Sequence, residues 1–96
     1  MIGKEKKASI LVVEDEESLR EALKLNLELE NYEITTAENG PTALKLVKNE
    51  YFDLIVLDIM LPDMDGITVC ETIRMQHNDV PILFLSARNT SADRVE

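Results

Sequence analysis

Three stretches of this chain are apolar without interruption: "ILVV" at 10–13, "LIVL" at 54–57 and "ILFL" at 82–85. Runs this short, rich in branched side chains and bounded by polar or turn residues, suit strands covered on both faces, as in a parallel sheet. A fourth segment, "YEITTA" at 32–37, alternates apolar and polar side chains and fits a strand at a sheet edge. Helical patterns lie between them. Leu19, Ala22, Leu23 and Leu27 recur at helical spacing among Glu and Lys, with Asp15 or Ser18 as candidate caps and Glu16 and Glu17 suited to the positive end. "NGPTALKLV" places Pro41 where a first helical residue belongs, with Ala43, Leu44 and Val47 as the inner face. After Gly66, the residues Ile67, Cys70 and Ile73 predict the buried stripe of a third helix, and "SADRVE" reads as the first turn of a fourth. Strand and helix alternate throughout. The predicted fold is α/β, a doubly wound parallel sheet.

In such sheets, ligands bind beyond the carboxyl ends of the strands. The first run ends in Glu14 and Asp15, the third strand in Asp58, and the fourth in Ser86 followed by Ala87. If the first and third strands are neighbours, Asp15 and Asp58 approach one another. Clustered carboxylates repel, so at least one pKa should rise unless a cation intervenes. Oxygen ligands with no His or Cys nearby point to Mg²⁺, an ion that commonly serves a phosphate. A carboxylate beside it can act as nucleophile and form an acyl phosphate. Ser86 would stand opposite, within reach of a phosphoryl oxygen.

The segments "ILVVEDEE", "LIVLDIMLPDMDG" and "PILFLSA" together resemble the receiver domain of bacterial two-component response regulators, over Ile10 to Glu96. The spacing of Pro62 and Gly66, four and eight residues after Asp58, is the most specific part of the match. The resemblance implies a flavodoxin-like strand order 2-1-3-4(-5), with residues 1–8 an extension and 9–96 the receiver domain. It makes Asp58 the phosphoacceptor, served by a sensor histidine kinase. Glu14, Asp15, Asp58 and the backbone carbonyl of Met60 become the Mg²⁺ ligands, with Asp15 the direct acidic ligand and Glu14 acting through water. Ser86 matches the Ser/Thr switch position, and Ala87 leaves the phosphoryl group accessible. The expected chemistry is that of a phosphoacceptor rather than a turnover enzyme.

The family pattern continues into a fifth strand ending in a lysine and a fifth helix, for which these 96 residues hold no counterpart. Lys24, Lys45 and Lys48 fall in helical patterns and do not fill that role. The phosphoryl site is therefore expected to be incomplete as written. A polypeptide ending at Glu96 would leave the fourth strand uncovered, which predicts self-association, completion by another chain, or a molten state. The alternative expectation is a receiver-fold fragment serving as an interaction or structural module without competent phosphoryl transfer. A C-terminal output domain in the parent protein is the further implied partner.

Composition narrows the remaining classes. A net charge of −9 argues against nucleic-acid binding by this segment. No apolar run approaches the ~20 residues needed to span a bilayer. "MIGKEKKAS" lacks the apolar core of a signal peptide, and the single Cys70 suits a reducing cytoplasm. "DMDG" at 63–66 resembles a calcium loop only superficially, because Leu61 and Thr72 stand where that loop needs acids. His77 reads as a surface residue near a helix end, and Cys70, Met60 and Met64 as packing residues.

Overall fold

The computed structural model describes residues 6–85. Seven elements follow in strict alternation: β1 (Ser9–Val13), α1 (Glu17–Leu29), β2 (Glu33–Ala37), α2 (Gly40–Asn49), β3 (Leu54–Asp58), α3 (Gly66–Met75) and β4 (Ile82–Leu85). All strands pair in parallel, in the order β2-β1-β3-β4. The alternating "YEITTA" segment supplies the edge strand β2, as its pattern predicts.

The uninterrupted apolar runs follow from cover on both faces. Successive side chains of a strand point to opposite sides. Leu11, Val13, Ile55 and Leu57 therefore project one way, into a core completed by Ala43 and Val47 of α2 and by Val69 and Ile73 of α3. Ile10, Val12 and Val56 project the other way, where Leu23 and Leu27 of α1 lie over them. Four consecutive apolar residues are thus divided between two cores.

Local chemistry fixes the helix starts. The Asn39 carboxamide Oδ1 accepts from the Thr42 N–H at 2.8 Å, and the Asp65 carboxylate does the same for Thr68 at 2.8 Å. Pro41 sits in the first turn of α2, where its missing N–H costs nothing. The cap of α1 departs from expectation. Neither Asp15 nor Ser18 occupies it; Glu16 does, and its side chain makes no capping bond. The α3 stripe is also shifted by one residue. Gly66, Val69 and Ile73 face inward, Cys70 is half-buried beside them, and Ile67 is 43% exposed. Because the helix begins at Gly66 itself, its buried row runs 66-69-73 rather than 67-70-73. His77 lies just past α3, exposed and in the left-handed region at φ 62°, where its N–H donates to the Arg74 carbonyl.

Gly66 is where the fold meets the site. Its N–H donates to the Ile59 carbonyl at 2.8 Å, closing the β3–α3 loop on itself. A Cβ there would collide with the Asp58 carbonyl oxygen and lie 2.8 Å from Ile59 Cα. Both obstacles are backbone and cannot rotate aside. Gly66→Ala is expected to lower stability by ~1–3 kcal/mol, as overpacking does, despite the better helix propensity of alanine. Urea unfolding checks this; a variant as stable as the parent contradicts the close approach.

Candidate functional site

The register of the two central strands builds the site. Val13 pairs with Leu57, so the next residues, Glu14 and Asp58, emerge side by side at the carboxyl end of the sheet. The Glu14 N–H donates to the Ala37 carbonyl at 3.0 Å, extending the β1–β2 ladder by one rung. On the other side Asp58 is paired with Leu85, and the Ile59 N–H donates to the Leu85 carbonyl at 3.2 Å. Asp58 therefore ends a strand held from both sides.

Glu14, Asp15 and Asp58 each place a carboxylate oxygen within 4.8 Å of the others. Asp15 is exposed, whereas Glu14 and Asp58 are only 2% and 3% exposed. Met60 follows on the β3–α3 loop, and its N–H donates to Asp58 Oδ1 at 3.0 Å, fixing the carboxylate against its own chain. The expectation that Asp15 and Asp58 approach one another at the ends of neighbouring strands matches their placement. Ser86 and Ala87 lie outside the described residues.

The electrostatics are unbalanced. Glu14 Oε2 accepts from the Glu16 N–H at 3.0 Å, but Oε1 is buried with no hydrogen-bond partner. Burial raises the Glu14 pKa, the Glu16 N–H opposes this in part, and the neighbouring Asp58 and Asp15 carboxylates add to the rise, which carries it to about 7. The ion pairs among the described residues join Arg20 to Glu21 and Lys24 to Glu28, so neither neutralises the cluster. A buried carboxylate without donor or counter-ion costs stability unless something binds it. A hard divalent cation matches this set of oxygen donors.

Sequence reading overlooked one side chain at the site. Arg20 of α1 donates from Nη1 to the Glu14 carbonyl at 3.1 Å and to the Asp15 carbonyl at 3.4 Å. It stands one turn into a helix of mixed charge, where arginine ordinarily means a solvated face. Its position six residues after Glu14 was the one available signal.

Known proteins resemble this chain in sequence and fold. The sequence profile of the response regulator receiver domain matches residues 10–96. The alkaline phosphatase synthesis transcriptional regulatory protein PhoP of Bacillus subtilis is 50% identical over 86 residues, covering 90% of this chain and 36% of its own length. A probable transcriptional regulatory protein of Picosynechococcus is 46% identical over 96 residues, covering 93% of this chain and 38% of its own. This chain thus spans little more than a third of the curated relatives it matches. Among solved structures, the response regulator TrrA of Thermotoga maritima, in complex with Mg²⁺ and BeF, is 45% identical with a TM-score of 0.81, over 85% of this chain and 71% of that one. The chemotaxis protein CheY4 of Vibrio cholerae is 32% identical with a TM-score of 0.83, over 90% of this chain and 73% of that one. With its four parallel strands in the order 2-1-3-4 and its acidic strand ends, this chain belongs to the receiver domain family of two-component response regulators.

Proposed function

We propose that Asp58 is the phosphoacceptor of this receiver domain and that Glu14, Asp15, Asp58 and the Met60 carbonyl hold the Mg²⁺ that phosphoryl transfer requires. The observation that carries this reading is the buried Glu14 Oε1, unpartnered and beside Asp58, in a cluster that no ion pair among the described residues reaches. Such an arrangement fits a cation and argues against a receiver fold kept only as scaffold.

The chemistry follows from what each residue can do. Asp58 ends a strand paired on both sides, which fixes its carboxylate better than a loop would. Met60 N–H occupies Oδ1 and leaves the second oxygen to attack phosphorus. As that O–P bond forms, the P–N bond of a kinase phosphohistidine breaks in line, and its electron pair returns to the imidazole. A cation held by Glu14, Asp15, Asp58 and the Met60 carbonyl would supply positive charge to offset the carboxylates and the incoming phosphoryl oxygens. Ser86 would donate its hydroxyl to a phosphoryl oxygen, and Ala87 would leave room for it. The new charge then biases the surrounding loops, a local electrostatic switch.

The parent protein on this reading is a cytoplasmic regulator with a C-terminal output domain. Support comes from the relatives, transcriptional regulators of which this chain matches just over a third. The acidic receiver itself is not the part that would touch nucleic acid. No helix among the described residues is long and apolar enough to cross a membrane.

Incubation with acetyl phosphate should label Asp58 alone, and only when Mg²⁺ is present. Peptide mapping decides this; label at another residue, or undiminished label in Asp58→Asn, rules out the assignment. The metal ligands can be tested by thermal unfolding. Mg²⁺ binding to the folded state alone should raise the melting temperature of the parent by mass action, and Asp15→Asn should lose most of that response.

Glu14 gives a pH signature. Its folded pKa, about 7, exceeds its ordinary value of 4.5, so between the two the folded state binds more protons than the unfolded. Stability without metal should therefore fall as pH rises through that window. Glu14→Gln removes the titration and should be more stable than the parent at pH 8, by on the order of 2–3 kcal/mol, with the gap closing towards pH 4.5. Denaturant unfolding in EDTA across this range measures it. A gap that does not vary with pH contradicts the assignment.

A further inference from the structure

An arginine close to three carboxylates ordinarily pairs with one of them. Arg20 does not. Its Nη1 is shared between the main-chain carbonyls of Glu14, at 3.1 Å, and Asp15, at 3.4 Å. Its Nε lies 4.0 Å from Glu21 Oε2, at the outer limit of an ion pair and outside the acidic cluster. The side chain is only 12% exposed, so the guanidinium is held against the strand end rather than extended into water. The Arg20 N–H meanwhile donates to the Glu16 carbonyl at 2.9 Å, the first turn of α1. One residue thus begins the helix and clamps the two residues before it.

We propose that Arg20 is a positioning residue of the acidic site, which sets the backbone of Glu14 and Asp15 so that both carboxylates face Asp58 and stay free for a divalent cation. The proposal rests on the reading of that cluster as a cation site. Glu14 is tied at its N–H to Ala37, at Oε2 to Glu16 and at its carbonyl to Arg20. Asp15 lies beyond the last rung of the ladder, exposed, and its carbonyl is tied to Arg20. Without the guanidinium, the peptide planes on both sides of Asp15 can rotate, and its carboxylate can leave the cluster. The alignment also spares the carboxylates, since an arginine bonded to carbonyls does not compete with the cation for its ligands.

Two effects of opposite sign make this testable. A fixed positive charge beside a cation site repels the cation, so its removal should tighten binding. A lost clamp should weaken binding. Calorimetric Mg²⁺ titration of the full chain, well below its melting temperature, would compare the parent with Arg20→Met, Arg20→Lys and the core control Ile73→Val. The methionine variant keeps most of the stem and loses every donor; we expect its Kd to rise about tenfold or more, the scale on which metal sites respond to the loss of a ligand-orienting partner. Lysine retains charge and a single donor head, and should give a smaller rise. Ile73→Val loses stability far from the site and should keep the parent Kd. If the methionine variant does not fold, the lysine variant decides, and a Kd within about twofold of the parent overturns the proposal. Tighter binding in Arg20→Met overturns it too, as does an equal loss in the core control. A parent that binds no Mg²⁺ would overturn the cation-site reading itself, whereas normal parent binding with unchanged Arg20 variants overturns the positioning role alone.

Discussion

Everything at the functional end of this molecule depends on two acids emerging side by side from adjacent parallel strands. Their proximity is imposed by the pairing of Val13 with Leu57, and the strands pair because both of their faces are buried. Carboxylates brought together in this way destabilise the fold when both are ionised. Neither ion pair among the described residues reaches these acids. Backbone donors hold the carboxylates in place instead: Glu16 N–H on Glu14 and Met60 N–H on Asp58. Neutral N–H groups orient the acids without cancelling their charge.

The tight β3–α3 connection is the second half of the same design. Its loop returns so closely over the end of β3 that only a glycine can begin α3. That return presents Met60 to Asp58, while the Asp65 carboxylate ends the loop as the helix cap. The end of β3, the loop and the start of α3 are therefore joined by their own short hydrogen bonds. The α2 side buttresses it through Gly40, whose lack of a side chain admits Met64 and Val69.

Much of this was legible in the sequence, because buried parallel strands leave an unmistakable pattern. The runs "ILVV", "LIVL" and "ILFL" read correctly as strands, each to within a residue of its ends. The acids were legible because a carboxylate terminating an apolar run has few structural explanations. Smaller errors had physical causes. Capping of α1 was misassigned because several acids and a serine crowd the start, and the one at the cap position makes no side-chain bond to mark it. The inner row of α3 was off by one residue since Ile67 and Val69 are equally apolar, and only the start at Gly66 sets the phase. Arg20 escaped notice because its partners are main-chain carbonyls, and no residue code announces a free carbonyl.

Arg20 also joins the first helix to the strand end. Its N–H opens the hydrogen-bond ladder of α1 at the Glu16 carbonyl, while its guanidinium holds the Glu14 and Asp15 carbonyls. The ends of helices open locally at far less cost than the global unfolding of a domain. An opening of the first turn of α1 would carry Arg20 away from both carbonyls. The geometry of the acidic cluster and the transient fraying of that turn would then be two readouts of a single conformational equilibrium.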